Sequence, residues 1–383
     1  MACTRGRGKF SPCFLGGNPR PGSRRILLLL GGLTGLACGS STTRPGTPPS
    51  PVDLSAEWSA ASPDSVDVDA DGLARALALA ETVPGLESAV IIRRGRLIGE
   101  RYLGTGTAEA IHSIRSVTKG VISLLVGQAI ERGVFHGTSE RLADTFHPPL
   151  PVIEGEAAQI TLQDLLTMTS GFEWNEDSNP AEYNNWALAP DQIEYLLARP
   201  ITSSPGTVWN YNSAAVHLLS AAITSTSGTR TDDFADQFLL GPLGIRVRSW
   251  ELDNRGIPNG GAGLSLRSRD VAKIGQLVLQ GGRSGSLQIV PANWVAASTA
   301  AQVNTPDGFG SIGSLRYGDL WWAGRIAGHG LILAWGFGGQ FIVVVSELEL
   351  VVVTTARWQD LVAPGQGDAI LGWIATSILP TVH

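Results

Sequence analysis

Two residues one helical turn apart set the chemistry this chain could perform: Ser116 and Lys119, in the segment Ser116-Val117-Thr118-Lys119. On a helix, positions i and i+3 share a face, so the hydroxyl lies beside the amine, near a helix N-terminus that favours developing negative charge. That is a nucleophile next to a base. The other reading of the spacing is an N-capping serine with a surface lysine. Composition favours the chemical one, because Lys9, Lys119 and Lys273 are the only lysines among the 28 Lys+Arg. Lysine can lose its proton when desolvated, whereas arginine effectively cannot. Two further segments stand out. Trp209-Asn210-Tyr211-Asn212-Ser213 sets a phenol just before an apolar helix, and Phe337-Gly338-Gly339-Gln340 feeds two glycines into a strand. Glycines there mark close approach of another backbone or a ligand.

The elements that must hold these residues follow from hydrophobic spacing. After Lys119, Val121, Ile122, Leu124, Leu125, Ala129 and Ile130 recur at three- and four-residue intervals and Gly133 closes the run, which predicts a buried amphipathic helix. Ser88–Ile92 and Leu97–Tyr102 flank the polar turn Arg93-Arg94-Gly95-Arg96; Gln340–Val345 and Leu350–Thr355 flank Ser346-Glu347-Leu348-Glu349. Both read as β-hairpins. Between them lie helices over Asp191–Ala198, Ala214–Thr226 and Ser268–Leu279, and one opened by the capping pattern Thr161-Leu162-Gln163-Asp164. Phe172–Trp186 reads as a loop carrying Trp174, Tyr183 and Trp186, and Asp368–Leu379 as a last helix. The chain is therefore expected to be α+β: one antiparallel sheet formed from both chain ends, flanked by helices, with an inserted mainly helical lobe. The cleft between the lobes is where a site is expected.

Composition narrows the partners. A formal net charge of -6 supplies no basic field for nucleic acid. The six histidines are scattered and Cys3, Cys13 and Cys38 are the only cysteines, so neither a metal nor another cofactor is expected. Arg20, Arg24 and Arg25 precede the apolar run Ile26–Ala37. At about 12 residues that run suits a signal h-region and falls short of the roughly 20 needed to span a bilayer. Residues 1–37 thus read as a signal peptide, and Ser23-Arg24-Arg25-Ile26-Leu27-Leu28 resembles a twin-arginine signal. Gly35-Leu36-Ala37-Cys38 resembles a bacterial lipoprotein box, with Cys38 as the lipidated residue; a plain secretory signal is the competing reading. Residues 38–64 read as a flexible tether and 65–383 as the folded domain. The expectation is an exported, cell-envelope protein that meets a membrane only through a lipid at Cys38.

Taken in order, Ser116-x-x-Lys119, Tyr211-Asn212-Ser213 and Phe337-Gly338-Gly339 resemble the three motifs of the serine β-lactamase and penicillin-binding-protein superfamily. Leu165-Leu166-Thr167-Met168-Thr169-Ser170-Gly171, Gly260-Gly261-Ala262-Gly263-Leu264 and Gly336–Gln340 are similar to its esterase and 6-aminohexanoate-dimer-hydrolase branch. The resemblance covers about Leu86 to the C-terminus and implies the β-lactamase/transpeptidase-like fold. It implies that Ser116 forms an acyl-enzyme, that Lys119, neutral through burial, takes its proton, and that Tyr211 relays a proton to the leaving group and later activates water. It further implies an oxyanion hole from the backbone N–H groups of Ser116 and Gln340. Ser213, Phe337, Gly338, Gly339, Trp174 and Trp186 are the expected substrate contacts, the aromatics lining an acyl pocket unless they belong to the core.

Two positions depart from the superfamily pattern. Ser213 stands where the tyrosine motif ends in asparagine, and Phe337 stands where β-lactamases and peptidases carry Lys or His. Losing that cation costs a carboxylate-bearing β-lactam or peptide on the order of 1.5–3 kcal/mol. The sequence therefore points to a serine hydrolase acting on a small ester or linear amide. A β-lactamase or D-alanyl-D-alanine carboxypeptidase is the alternative, and an inactive surface-binding lipoprotein a third reading. No Gly-x-Ser-x-Gly elbow exists, which disfavours an α/β-hydrolase site.

Overall fold

The computed structural model describes residues 51–383 apart from 105, 306–307 and 360–361. The leader, Cys38 and Gly39–Ser50 lie outside the described residues. The sheet is eight-stranded and every neighbouring pair is antiparallel. Its strands are β1 (Leu86–Arg93), β2 (Arg96–Tyr102), β3 (Val303–Asn304), β4 (Ile312–Tyr317), β5 (Trp322–Ile326), β6 (His329–Gly336), β7 (Gln340–Val345) and β8 (Leu350–Ala356). The order across the sheet is β2-β1-β8-β7-β6-β5-β4-β3, so the first hairpin joins the last at β1 and β8, with Val90 opposite Val353. Sheet and chain ends are thus related as the sequence predicts.

Both faces of the central strands are covered, which is why β7 and β8 are apolar except for Gln340, Thr354 and Thr355, and are buried at every position. Successive strand residues point to opposite faces. Ile342 meets Gly275 of helix Ser268–Leu279 on one side, and Phe341 meets Gly367 of helix Gln366–Trp373 on the other. That last helix is tied to the N-terminal helix Ala70–Leu79 by the Trp373 indole, which donates to the Ala76 carbonyl at 2.9 Å. The three layers leave no exposed sheet face at the centre.

The inserted lobe is built on α1 (Thr118–Glu131) and α2 (Ser213–Ser227), which pack against each other and are buried over most of their length. Glycines let α1 approach its neighbours: a Cβ at Gly120 would lie 2.9 Å from the Trp321 indole, and one at Gly127 2.4 Å from Trp294. A small sheet of Ile111–Ser113, Leu264–Arg267 and Arg248–Trp250 ties the segment before Ser116 to the 260–264 loop.

Three expectations differ from the structure. Residues 51–64 are not a tether: Leu54 is buried and its N–H donates to Ser284 Oγ at 2.8 Å, the Trp58 indole donates to the Arg269 carbonyl, and Ala60 bridges to Leu97. Three apolar anchors, Val52, Leu54 and Trp58, hold this Ser- and Pro-rich stretch to the domain. Within the expected loop 172–186, Pro180–Ala187 is helical. Strands β3 to β6 were not legible, because β4 alternates buried and exposed positions irregularly and β5 and β6 mix Gly, Arg and Trp with few β-branched residues.

Candidate active site

Ser116 lies in a single 3-10 turn, Arg115–Val117, that runs directly into α1. The preceding residue, Arg115, has φ of 48°, a left-handed conformation rare outside glycine. Strand β6 presses on this turn: a Cβ at Gly336 would lie 2.5 Å from the Ile114 carbonyl oxygen and 3.1 Å from Arg115 Cβ. Only glycine lets the sheet come so close to the serine.

One turn on, Lys119 is 1% exposed. Its amine is 2.9 Å from Ser116 Oγ, 2.8 Å from Ser213 Oγ and 2.6 Å from the Gly261 carbonyl oxygen. Donor bookkeeping then orients the proton. The Glu176 carboxylate can only accept, and Ser213 Oγ lies 2.6 Å from its Oε1, so that hydroxyl donates to Glu176 and must accept from Lys119. Gly261 O is also only an acceptor. A neutral amine thereby spends both N–H bonds, and its lone pair faces the Ser116 hydroxyl. Burial pulls the Lys119 pKa down to about 7, against the Glu176 charge, which raises it. A large fraction of the amine is therefore neutral near pH 7.

Glu176 is fixed from three sides. It accepts from Ser213 N and Oγ and from the Trp174 indole. Gly261 is positioned by α2, since a Cβ there would sit 2.4 Å from the Ser213 carbonyl oxygen. Below it, buried His217 and Asp253 pair at 2.9 Å, and Asp253 accepts from the N–H groups of Arg255 and Ile257. That clamp holds the loop whose Gly261 carbonyl meets the lysine.

Tyr211 is brought to the same point by the N-terminus of α2, which Asn212 caps by accepting from Ala215 N at 2.9 Å. The Lys119 amine lies 4.7 Å above the Tyr211 ring, and Tyr211 and Ser116 line the same cavity. Burial pushes the Tyr211 pKa well above the ordinary value, so it stays a phenol, with a proton to give. Trp322 stacks on its ring at 6.2 Å, and Trp209, Tyr317 and Trp335 continue the aromatic wall.

These groups open on a cavity of about 540 Å³ lined by Arg115, Ser116, Glu176, Asp177, Tyr183, Asn184, Tyr211, Ser213, Ala262, Trp322, Trp335, Phe337 and Trp358. Ser116, Lys119, Tyr211, Ser213 and Phe337 thus come together. Trp186 does not: it is 1% exposed, its indole donates to the Gln192 carbonyl, and it packs on His217 in the core. Trp174 backs Glu176 without lining the cavity. Gly338 and Gly339, with φ of 85° and 106°, make the tip of the β6–β7 hairpin, closely approached by Arg357 and Ile370 of the protein itself. Gln340 lies beyond that tip, opposite Gly336, with its carboxamide bonded to Ala356 N and O. The cavity wall at this point is Phe337. Sequence reasoning passed over Glu176, Asp177, Arg115, Trp322 and Trp358; the one available signal was the acidic pair Glu176-Asp177 inside a segment rich in Trp and Asn. Among the described residues no cluster of His, Cys, Asp and Glu could hold a metal ion.

The Beta-lactamase family model matches residues 73–376 of the chain. The chain is 23% identical over 321 residues to the 6-aminohexanoate-dimer hydrolase of Paenarthrobacter ureafaciens, spanning 76% of this chain and 80% of that protein. Its fold is similar to that of a Bacillus anthracis protein assigned as a 6-aminohexanoate-dimer hydrolase, with TM-score 0.67 and 21% identity over 86% of this chain and 88% of that one. It is also similar to a class C beta lactamase from Rhodobacter sphaeroides, with TM-score 0.59 and 17% identity over 81% and 99% of the two chains.

Proposed function

Because the chain belongs to the Beta-lactamase family and is a serine hydrolase, we propose that it hydrolyses a linear amide or ester through an acyl-enzyme at Ser116. One observation carries this reading: a buried amine with its pKa near 7 lies 2.9 Å from the serine oxygen, and both its N–H bonds are engaged elsewhere. Ser116 Oγ attacks the carbonyl as its proton passes to Lys119. The negative oxygen that forms is met by the N–H of Ser116 and, in place of Gln340, by that of Phe337, the residue of the β6–β7 hairpin that lines the cavity. Tyr211, kept protonated by burial, gives its proton to the leaving amine or alcohol. In the second half a water takes the leaving group's place, gives a proton to the Tyr211 phenolate as it attacks the acyl carbonyl, and the Lys119 ammonium returns its proton to Ser116 Oγ as that bond breaks and the acid leaves.

The cavity favours linear substrates over penicillins, since Phe337 offers no cation at the strand. The named activity of the Paenarthrobacter relative, on a 6-aminohexanoate dimer, agrees with this choice. Intact-mass spectrometry after incubation with linear amides and esters is expected to show an acyl adduct that is absent from Ser116→Ala; no adduct with any substrate and none with a fluorophosphonate overturns the reading. Turnover of nitrocefin faster than of p-nitrophenyl butyrate makes the enzyme a β-lactamase instead. Export and lipidation at Cys38 belong to the same proposal. Cys38→Ser should leave the membrane fraction, and an unchanged distribution refutes the anchor.

A further inference from the structure

The cation missing from the strand is replaced from the opposite direction. We propose that Arg115 is an anion clamp that selects, among linear substrates, those whose acyl chain ends in a carboxylate. The inference rests on the acyl-enzyme reading of Ser116 and adds the substrate class.

Arg115 lines the cavity and precedes the nucleophile in the same turn, in a left-handed conformation. Its guanidinium lies 4.3 Å from the Trp358 ring and 5.6 Å from the Tyr183 ring. Stacking of this kind holds the planar fork by its faces and leaves its edge for bidentate bonding to a carboxylate. The Arg115 Nε–H is buried and has no hydrogen-bond partner among the described residues. No ion pair engages the guanidinium among the described residues either, so it stands at the cavity as a charge that an entering carboxylate would meet. The cavity carboxylates do not fill that role: Glu176 is engaged by Ser213 and Trp174, and the charges that act on Asp177 are those of Glu176 and Lys119.

The sheet fixes which half of the substrate meets the clamp. Trp358 follows β8 and lies against Gly338 at the tip of the β6–β7 hairpin, whereas Trp322 belongs to β5, on the far side of β6. Arg115 is stacked on the first and Tyr211 on the second. The proton donor, and hence the leaving group, occupies the Tyr211 side. The acyl chain runs towards Arg115.

Mono-p-nitrophenyl adipate and its methyl ester test this, because they share acyl chain and leaving group and differ only in charge. The wild-type enzyme should show kcat/KM at least about tenfold higher for the acid than for the methyl ester, the scale of one charge-assisted contact. Added salt should shrink the ratio, Arg115→Gln should bring it close to unity, and Arg115→Lys should keep part of it. Equal rates in the wild type, or a ratio unchanged in Arg115→Gln, overturn the clamp. If neither ester turns over, the acyl-enzyme reading itself fails, and calorimetry with monomethyl and dimethyl adipate decides the clamp separately. Tighter binding of the anion that is lost in Arg115→Gln supports it; equal binding rejects it.

Discussion

Lys119 gives the most exacting test, because its burial has two opposite consequences. Desolvation moves the amine from 10.5 to about 7, a differential cost of about 5 kcal/mol to the charged form. The neutral form is the base, so at pH 6 only about one enzyme in eleven is competent, and below that the rate falls about tenfold per pH unit. We expect kcat/KM for p-nitrophenyl butyrate, followed from pH 5 to 9, to rise along an acid limb with an inflection near 7. Asp177, held up to about 6 by burial and Glu176, is the rival titrating group; the limb should survive in Asp177→Asn. Stability must follow the same proton. The native pKa is below the unfolded one, so the unfolded chain binds more protons between pH 7 and 10.5 and wild-type stability rises through that window. The penalty is fully present below pH 7. Measured by denaturation, wild type should gain on Lys119→Met by up to about 5 kcal/mol from pH 6 to pH 10.5. A flat stability difference, together with a limb above pH 9 or none, would refute the neutral-lysine argument.

Other perturbations separate the remaining parts. Tyr211→Phe keeps the ring stacked on Trp322 and removes only the proton donor, so kcat should fall about 10²–10⁴-fold with little change in melting temperature; a wild-type rate would remove Tyr211 from the mechanism. Glu176 raises the Lys119 pKa, so Glu176→Gln should move the acid limb to lower pH, and a shift upward would contradict the geometry. A Cβ at Gly261 would meet the Ser213 carbonyl at 2.4 Å. Gly261→Ala should therefore cost about 1–3 kcal/mol of stability and displace the carbonyl that holds Lys119, lowering kcat even where the protein is folded.

Much of this protein is local and could be read from its order of residues. The Ser116–Lys119 pair, its buried helix, the two hairpins that build one half of the sheet and the capping box of Thr161 and Asp164 all follow from neighbours within a turn or a pleat, where spacing alone decides which side chains share a face. What surrounds the serine was decided by docking. Ser213 reaches Lys119 across 94 residues of sequence, and Glu176 and Gly261 arrive from two further loops. The same docking sent Trp186 to the core and Trp335 to the cavity, and a three-residue hairpin tip put Phe337 rather than Gln340 on its wall. Desolvation belongs to the packed surroundings of a group and not to its neighbours in sequence. The order of residues thus placed an amine beside an alcohol, and only the closing of sheet, lobe and loops around them made that amine a base.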